Sequence, residues 1–357
     1  MGVGAFIRAR DRLLATESAG ASSREVCEEI VHQVRSLAAF EWCAVMTTDP
    51  STLLPSGGVV VGFDRSACAP FWDNELLDPD FNKFADLARR HDAVATLHDA
   101  VDGDLERSPR YTKLFAGLGA VDELRISFVA GTSCLAIGSF LRPAELGPFT
   151  PEELVDVRAL VPIATNALRS ALGRPTVDAP EVVPVVVMLD RHGEVSGVSS
   201  GADDVLEDLR VNVDGELPGI LQVAATKARR GRASALSTRL RGRSGRWYRL
   251  TASPMEGGDG TVAVTIDGAR SDDIVDVLLD SYGLTQRETE IVLWLCRGMS
   301  TKEIAAELFI SAHTVRDHIK AIYDKAGVNS RGELVAGLFS KHVLERFEGA
   351  VSHVHDL

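Results

Sequence analysis

Three helix-start signatures crowd into residues 285–333 and constrain the chain more than anything else in it. Thr285 with Glu288, Ser300 with Glu303 and Ser330 with Glu333 each place a hydroxyl three residues ahead of a carboxylate. In that pattern the hydroxyl accepts from the amide three residues on, and the carboxylate returns to the cap amide. Ser311 is a further strong cap. The spacing predicts helices over about 285–297, 301–308, 312–325 and 331–345, with another over about 272–281, and no strand anywhere in 271–357. Ile304, Ala305 and Leu308 make one inward face and Val315, Ile319 and Ile322 another. The short connection over 309–312 sets these two helices crosswise. This is helix-turn-helix geometry, in which the second helix can enter a major groove.

On that second helix, over about 311–325, Arg316 and Lys320 share one face, with His313 and Asp317 beside them. Arginine or lysine can donate to guanine O6 and N7, and aspartate can accept from cytosine N4. Residues 297–331 hold six basic side chains (Arg297, Lys302, Arg316, Lys320, Lys325, Arg331) against four acids, inside a protein whose formal charge is -13. The total charge opposes indiscriminate nucleic-acid binding, but a local positive field is what matters for one face. The bland alternative is a helical packing module whose Arg316–Lys320 pair is merely solvated.

The same stretch resembles the four-helix LuxR-type helix-turn-helix of quorum-sensing and response regulators. The matching pieces are L-T-x-R-E-x-E (Leu284 to Glu290), S-T-K-E-I-A-x-x-L-x-I-S (Ser300 to Ser311), T-V-R-x-H-I (Thr314 to Ile319) and K-A-G-V-x-S-R (Lys325 to Arg331). The resemblance implies double-stranded DNA as partner, with Arg316, Asp317 and Lys320 at the bases. It places Lys302, Ser311, Thr314, His318, Lys325 and Arg331 at the backbone, although His318, between the inward and groove faces, serves packing equally well. It also implies a homodimer whose contacts come from the last helix, at Leu334, Val335, Leu338 and Phe339, and a contact with RNA polymerase. Those four residues serve equally well to close the domain core. Glu288 and Glu303 read as caps rather than ligands.

The 357 residues suffice for two or three domains, each with its own core. Upstream, Val26, Ile30, Val34 and Leu37 form one helical stripe. Strands are expected at 42–47, 58–63, 93–97, 124–130 and 133–141, the last two as a hairpin. Thr150-Pro151-Glu152-Glu153 opens a helix running to about Leu172. Residues 20–172 resemble a GAF domain, an α/β sensor or dimerisation domain, through FEWCAVMTTDP, GGVVVGFD and ELRISFVAGTSCLAIGSFLRP. That resemblance puts a sensor pocket under Phe71, Trp72, Phe81, Phe84, Tyr111 and Phe115, where a small-molecule effector would sit.

After the Pro-rich stretch 173–184, residues 183–268 resemble an α+β PAS domain through VVVMLDRHGEVSGVSSGADDVL and RWYRLTASP. Here the sequence predicts five strands, with helices over 202–209 and 219–230. Residues 227–249 carry nine basic side chains and no acid, a segment suited first to docking against the acidic N-terminal region and next to solvent, with DNA backbone or an anionic ligand as further partners.

No motif indicates a cofactor or metal. His91-Asp92 and His98-Asp99 flank a strand-like AVATL, which would turn the histidines to opposite faces, and Gly131 to Cys134 lacks the setting of a nucleophile. Five scattered cysteines without CxxC spacing fit reduced core thiols, and no uncharged apolar run is long enough for a signal peptide or membrane span. The expected protein is a cytoplasmic, non-enzymatic, multidomain DNA-binding regulator controlled through its upstream domains. The alternative is a constitutive regulator whose upstream domains only dimerise.

Overall fold

The computed structural model describes residues 3–335 and 338, apart from 65–66, 174–181, 211–217, 231–234, 258–259, 271–272, 274–278 and 280–281. Most of the expected 272–281 helix and of the 173–184 boundary, all of the last helix beyond 338, and Phe339 lie outside the described residues. Two compact units emerge, the second containing Arg270 onward.

The first unit holds two five-stranded antiparallel sheets. It opens with helices α1 (Val3–Ser18) and α2 (Ser23–Leu37), then β1 (Trp42–Thr48) and β2 (Pro55–Val61). Three short helices, α3 (Cys68–Leu77), α4 (Phe84–Leu87) and α5 (Leu97–Ala100), surround β3 (Val94–Thr96). The hairpin β4 (Ala120–Ala130) and β5 (Ser133–Pro143) follows, and α6 (Pro151–Leu172) closes the first layer. The strand order is β2-β1-β5-β4-β3.

The α2 stripe is buried as its periodicity requires, with Val26, Ile30 and Leu37 at 0% exposure and Val34 at 2%. Each such side chain contributes roughly 1.5–3 kcal/mol of burial. Alternation along the strands does the rest. Cys43 and Val45 of β1, with Ala136 and Phe140 of β5, face α1, α2 and α6, so Ala44, Met46 and Ser139 point to the opposite face. Thr150 and Glu153 form the reciprocal cap of α6, with Pro151 in its first turn. The helix α1 was not expected from sequence, yet its Ala9 and Leu13 are fully buried in this core.

The second sheet comprises β6 (Val185–Leu189), β7 (Val195–Val198), β8 (Leu236–Arg241), β9 (Trp247–Pro254) and β10 (Val262–Gly268), with α7 (Ala202–Asp208) and α8 (Gly219–Arg230) between β7 and β8. Its order, β7-β6-β10-β9-β8, repeats that of the first sheet. The β6–β7 turn closes on Gly193 at φ +84°, a conformation that costs a glycine nothing. The Asp190 carboxylate accepts from the amides of His192 and Glu194 there.

Several basic side chains of the 227–249 segment are engaged inside this unit. Arg239 pairs with Asp49 in the β1–β2 connection, Lys227 donates to the Thr52 carbonyl, and Arg241 donates to the Ala171 carbonyl. Arg249 pairs with Asp267, and Arg243 with Glu207. The docking expected from charge is therefore what the fold shows, through one buried carboxylate and two backbone carbonyls of the N-terminal layer.

The second unit contains α9 (Gln286–Cys296), α10 (Thr301–Glu307), α11 (Ala312–Ala326) and a helical segment over 331–335. Ile291, Val292, Leu295, Ile304, Val315, Ile322, Leu334 and Leu338 form its interior. Among the described residues no helix is long and apolar enough to cross a membrane.

Candidate nucleic-acid interface

The helix-turn-helix is assembled from its caps. Thr285–Glu288 and Ser300–Glu303 both form complete reciprocal boxes. The third differs. The Glu333 amide donates to Ser330 Oγ (3.1 Å), but the Glu333 carboxylate accepts from the Asn329 amide (2.8 Å), so the return bond lands one residue early. Ser311 Oγ accepts from the Thr314 amide at 3.0 Å and starts α11. Between α10 and α11 the chain passes through Phe309 at φ +53°, a left-handed conformation uncommon for a bulky residue, and its ring is 95% exposed.

Two side chains from the L-T-x-R-E segment brace this arrangement, and the role of Arg287 is not legible from sequence. Its guanidinium donates to the Leu308 carbonyl (2.7 Å) at the end of α10 and pairs with Glu290 (2.8 Å). Glu288, only 4% exposed, accepts from the Thr285 amide (2.7 Å) and pairs with Lys325 at the far end of α11. Burial pushes the Glu288 carboxyl up, but bonds from Lys325 and Thr285 outweigh it and hold the group below its usual range. The motif carried the signal for both residues; the carbonyl that Arg287 meets is visible only once the helices pack.

Arg316, Asp317 and Lys320 stand exposed on α11, on the side away from buried Val315 and Ile322. His313 Nδ1 and an Asp317 oxygen are 2.9 Å apart, four residues along the helix, which steadies the carboxylate. Lys302, Ser311 and Thr314 are exposed and His318 is half-buried. The Ser311 and Thr314 hydroxyls also meet at 2.9 Å. Lys325 and Arg331 are engaged inside the module, Lys325 with Glu288 and Arg331 with the carbonyls of Met299 and Leu295. Leu334 (1%) and Leu338 (0%) lie in the interior, the core-closing role open to them from sequence, while Val335 is half-buried.

The aromatic residues assigned to a sensor pocket divide. Phe71, Trp72 and Phe115 line a cavity of about 170 Å³ in the first unit. Trp72 and Phe84 border a separate hollow beside Leu53 and Ile137. Phe81 lies under the Arg107 guanidinium (5.4 Å), and Tyr111 packs in a small cluster with Phe115 and Leu141.

Beside these aromatics is a buried ionic cluster that sequence reasoning missed. The Glu123 carboxylate accepts from Ser139 Oγ (2.6 Å), Arg125 Nε (2.9 Å) and Arg110 Nε (2.9 Å). Arg125 also pairs with Glu75 (2.8 Å). Burial pushes Glu123 toward the neutral form, but the two guanidiniums outweigh it and hold its carboxyl below the usual range.

An exposed basic face on a helix whose other side is buried, reached through a tight turn from a second crossed helix, defines a helix-turn-helix regulator. Residues 282–337 match the family described as bacterial regulatory proteins, luxR family. The spore germination protein GerE of Bacillus subtilis is 47% identical over 62 residues, 17% of this chain and 84% of GerE. The chain belongs to the luxR family, a family of regulators rather than of enzymes. The oxygen regulatory protein NreC of Staphylococcus aureus is 42% identical over 62 residues, but the match spans only 29% of NreC. A crystal structure of Escherichia coli SdiA aligns over 93% of this chain and 96% of its own, at 15% identity and a TM-score of 0.34, too low to equate the two folds. Among the described residues no group of three His, Cys, Asp or Glu side chains is placed to hold a metal ion.

Proposed function

We propose that this chain is a transcription regulator that reads duplex DNA by laying α11 in the major groove. One observation carries the reading: α11 buries Val315 and Ile322 while holding Arg316, Asp317 and Lys320 in solvent on its other side. Arg316 and Lys320 supply donors to guanine O6 and N7, and Asp317 supplies an acceptor for cytosine N4. Lys302, Ser311, Thr314 and His318 meet the phosphates. Lys325 and Arg331 contribute positive charge from within the module.

The upstream unit is the input, GAF-like over 20–172 and PAS-like over 183–268, ahead of the helix-turn-helix over 271–345. A small molecule or partner that prefers one arrangement of this unit shifts the population that can engage DNA. The protein acts as a homodimer on paired half-sites. The repeated strand order and the cavity against the first sheet support a sensing role over a purely structural one.

The test is binding to the promoter region of its own gene at two salt concentrations, comparing wild type with R316A/K320A. Two base contacts at about 1–3 kcal/mol each predict a loss of thirty-fold or more, with wild-type binding weakened by salt. Equal specific binding by the double variant would remove α11 as the reading helix.

A further inference from the structure

The cavity of about 170 Å³ sits where the two sheets of the first unit meet. Its floor is the face of the first sheet turned away from α1, α2 and α6, at Ala44, Met46 and Ser139, with Phe71 and Trp72 of α3 at the side. The opposite wall comes from the second sheet's elements, through Leu209, Ile220 and Leu240. Neither layer builds this cavity alone. The lining is largely aliphatic and aromatic, and apolar atoms facing a gap lose dispersion partners that an apolar guest would restore. A volume of this order matches one ring system rather than a long chain.

Among its polar lining residues, which also include Asp64, Arg210 and Gln222, two serines on the first sheet's side narrow the class further. Ser139 Oγ donates its only proton to the Glu123 carboxylate at 2.6 Å. Ser56 Oγ donates to Thr47 Oγ1 at 2.9 Å. Both hydroxyls therefore offer the cavity lone pairs and no proton. A guest whose polar group is only an acceptor finds no match at either serine, whereas one bearing an N–H or O–H does.

We propose that this cavity binds a compact, neutral, one- or two-ring molecule carrying a hydrogen-bond donor, held between the two sheets. This inference deepens the proposed control through the upstream unit by naming the ligand class. The guest would bridge the same two layers that Asp49 and Arg239 tie together, so its binding and the tightness of that junction are linked.

The experiment is a calorimetric and thermal-shift titration of the full chain with indole and p-cresol, each paired with its methylated counterpart lacking the donor, 1-methylindole and 4-methylanisole. Saturable binding of at least one donor-bearing probe is expected, at least ten-fold weaker for its methylated partner and lost in Ala44→Leu, which fills the floor. Ile220→Phe fills the cavity from the opposite wall and serves if Ala44→Leu does not fold. Binding that is absent for all four probes, indifferent to the donor, or unchanged in the folded filling variant overturns the assignment. Repeating the titration with promoter DNA separates the two ideas. Probe binding without any change in DNA affinity keeps the cavity assignment and removes ligand control. No probe binding alongside intact, specific DNA binding removes the cavity assignment alone.

Discussion

Asp49 and Arg239, 190 residues apart in the chain, are joined by three hydrogen bonds: from the Arg239 amide at 2.8 Å, from Nε at 3.1 Å and from Nη2 at 2.9 Å. The carboxylate is wholly buried and the guanidinium nearly so, with side-chain exposures of 0% and 13%. Arg239 lies directly across from Arg249 in the β8–β9 register, a like-charge pairing that is tolerated because each has its own aspartate, Asp49 and Asp267.

Removing one partner of a buried pair strands the other, at about 3–5 kcal/mol. Asp49→Asn should therefore lower the melting temperature of the first unit markedly at pH 7. Burial pushes the Asp49 carboxyl up, but Arg239 and Ser51 outweigh it and hold it below its usual range. The stabilisation is thus complete above about pH 4 and fades as pH falls through the lower folded value. Melting curves from pH 7 to pH 3 should show wild type losing part of its advantage over Asp49→Asn toward the acid end. Parallel profiles would mean that the pair is not the source.

Glu288 caps α9 and reaches Lys325 on α11, so Glu288→Ala removes two ties at once. The cap accounts for about 1 kcal/mol and the half-exposed ion pair for less. Urea unfolding followed at Trp294 should shift by about 1–2 kcal/mol, and Lys325→Ala by a smaller amount. Equal shifts would show that the cap bond itself contributes little.

The cysteines offer a chemical readout of packing. Burial pushes the thiols of Cys27 and Cys134 up to about 12 and that of Cys43 up to about 11. The thiolate is the reactive species, so these three should resist a thiol-reactive dye at pH 8. Native protein should release dye from Cys68 and Cys296 at most, and all five should react in denaturant. Fast labelling of a third thiol in native protein would contradict the packing.

Leu13 on α1 is fully buried against the α2–α6 layer. Leu13→Ala should cost about 2–5 kcal/mol, measured by urea unfolding of the first unit. A change within about 0.5 kcal/mol would mean that α1 is not part of this core in solution.

Much of the helix-turn-helix is legible in the residues alone. Its caps act over three residues and its apolar faces repeat over three or four, so each signal is complete within one or two helical turns. The α2 stripe and the Thr150–Glu153 cap are legible for the same reason. The helix α1 is not legible in the residues because Arg8, Arg10, Asp11 and Arg12 crowd the few positions it buries, and Ala9 is too small to mark a face. Nothing in the expected 124–130 strand marks Glu123 and Arg125 as buried, since charges on a strand ordinarily face water, and nothing local says that Arg110 arrives to share their burial.

The starts of α2, α6 and the helix-turn-helix helices, the apolar faces they carry, and the placing of Arg316 and Lys320 together on one side of α11 are all readable from the residues. Those properties depend on neighbours a few residues away. That Arg239 meets Asp49, that Arg287 meets the Leu308 carbonyl, and that a cavity opens between two sheets emerge only from the packed fold. Each depends on groups brought together by closing long loops, and many partners of the same charge or size would have satisfied the local pattern equally well.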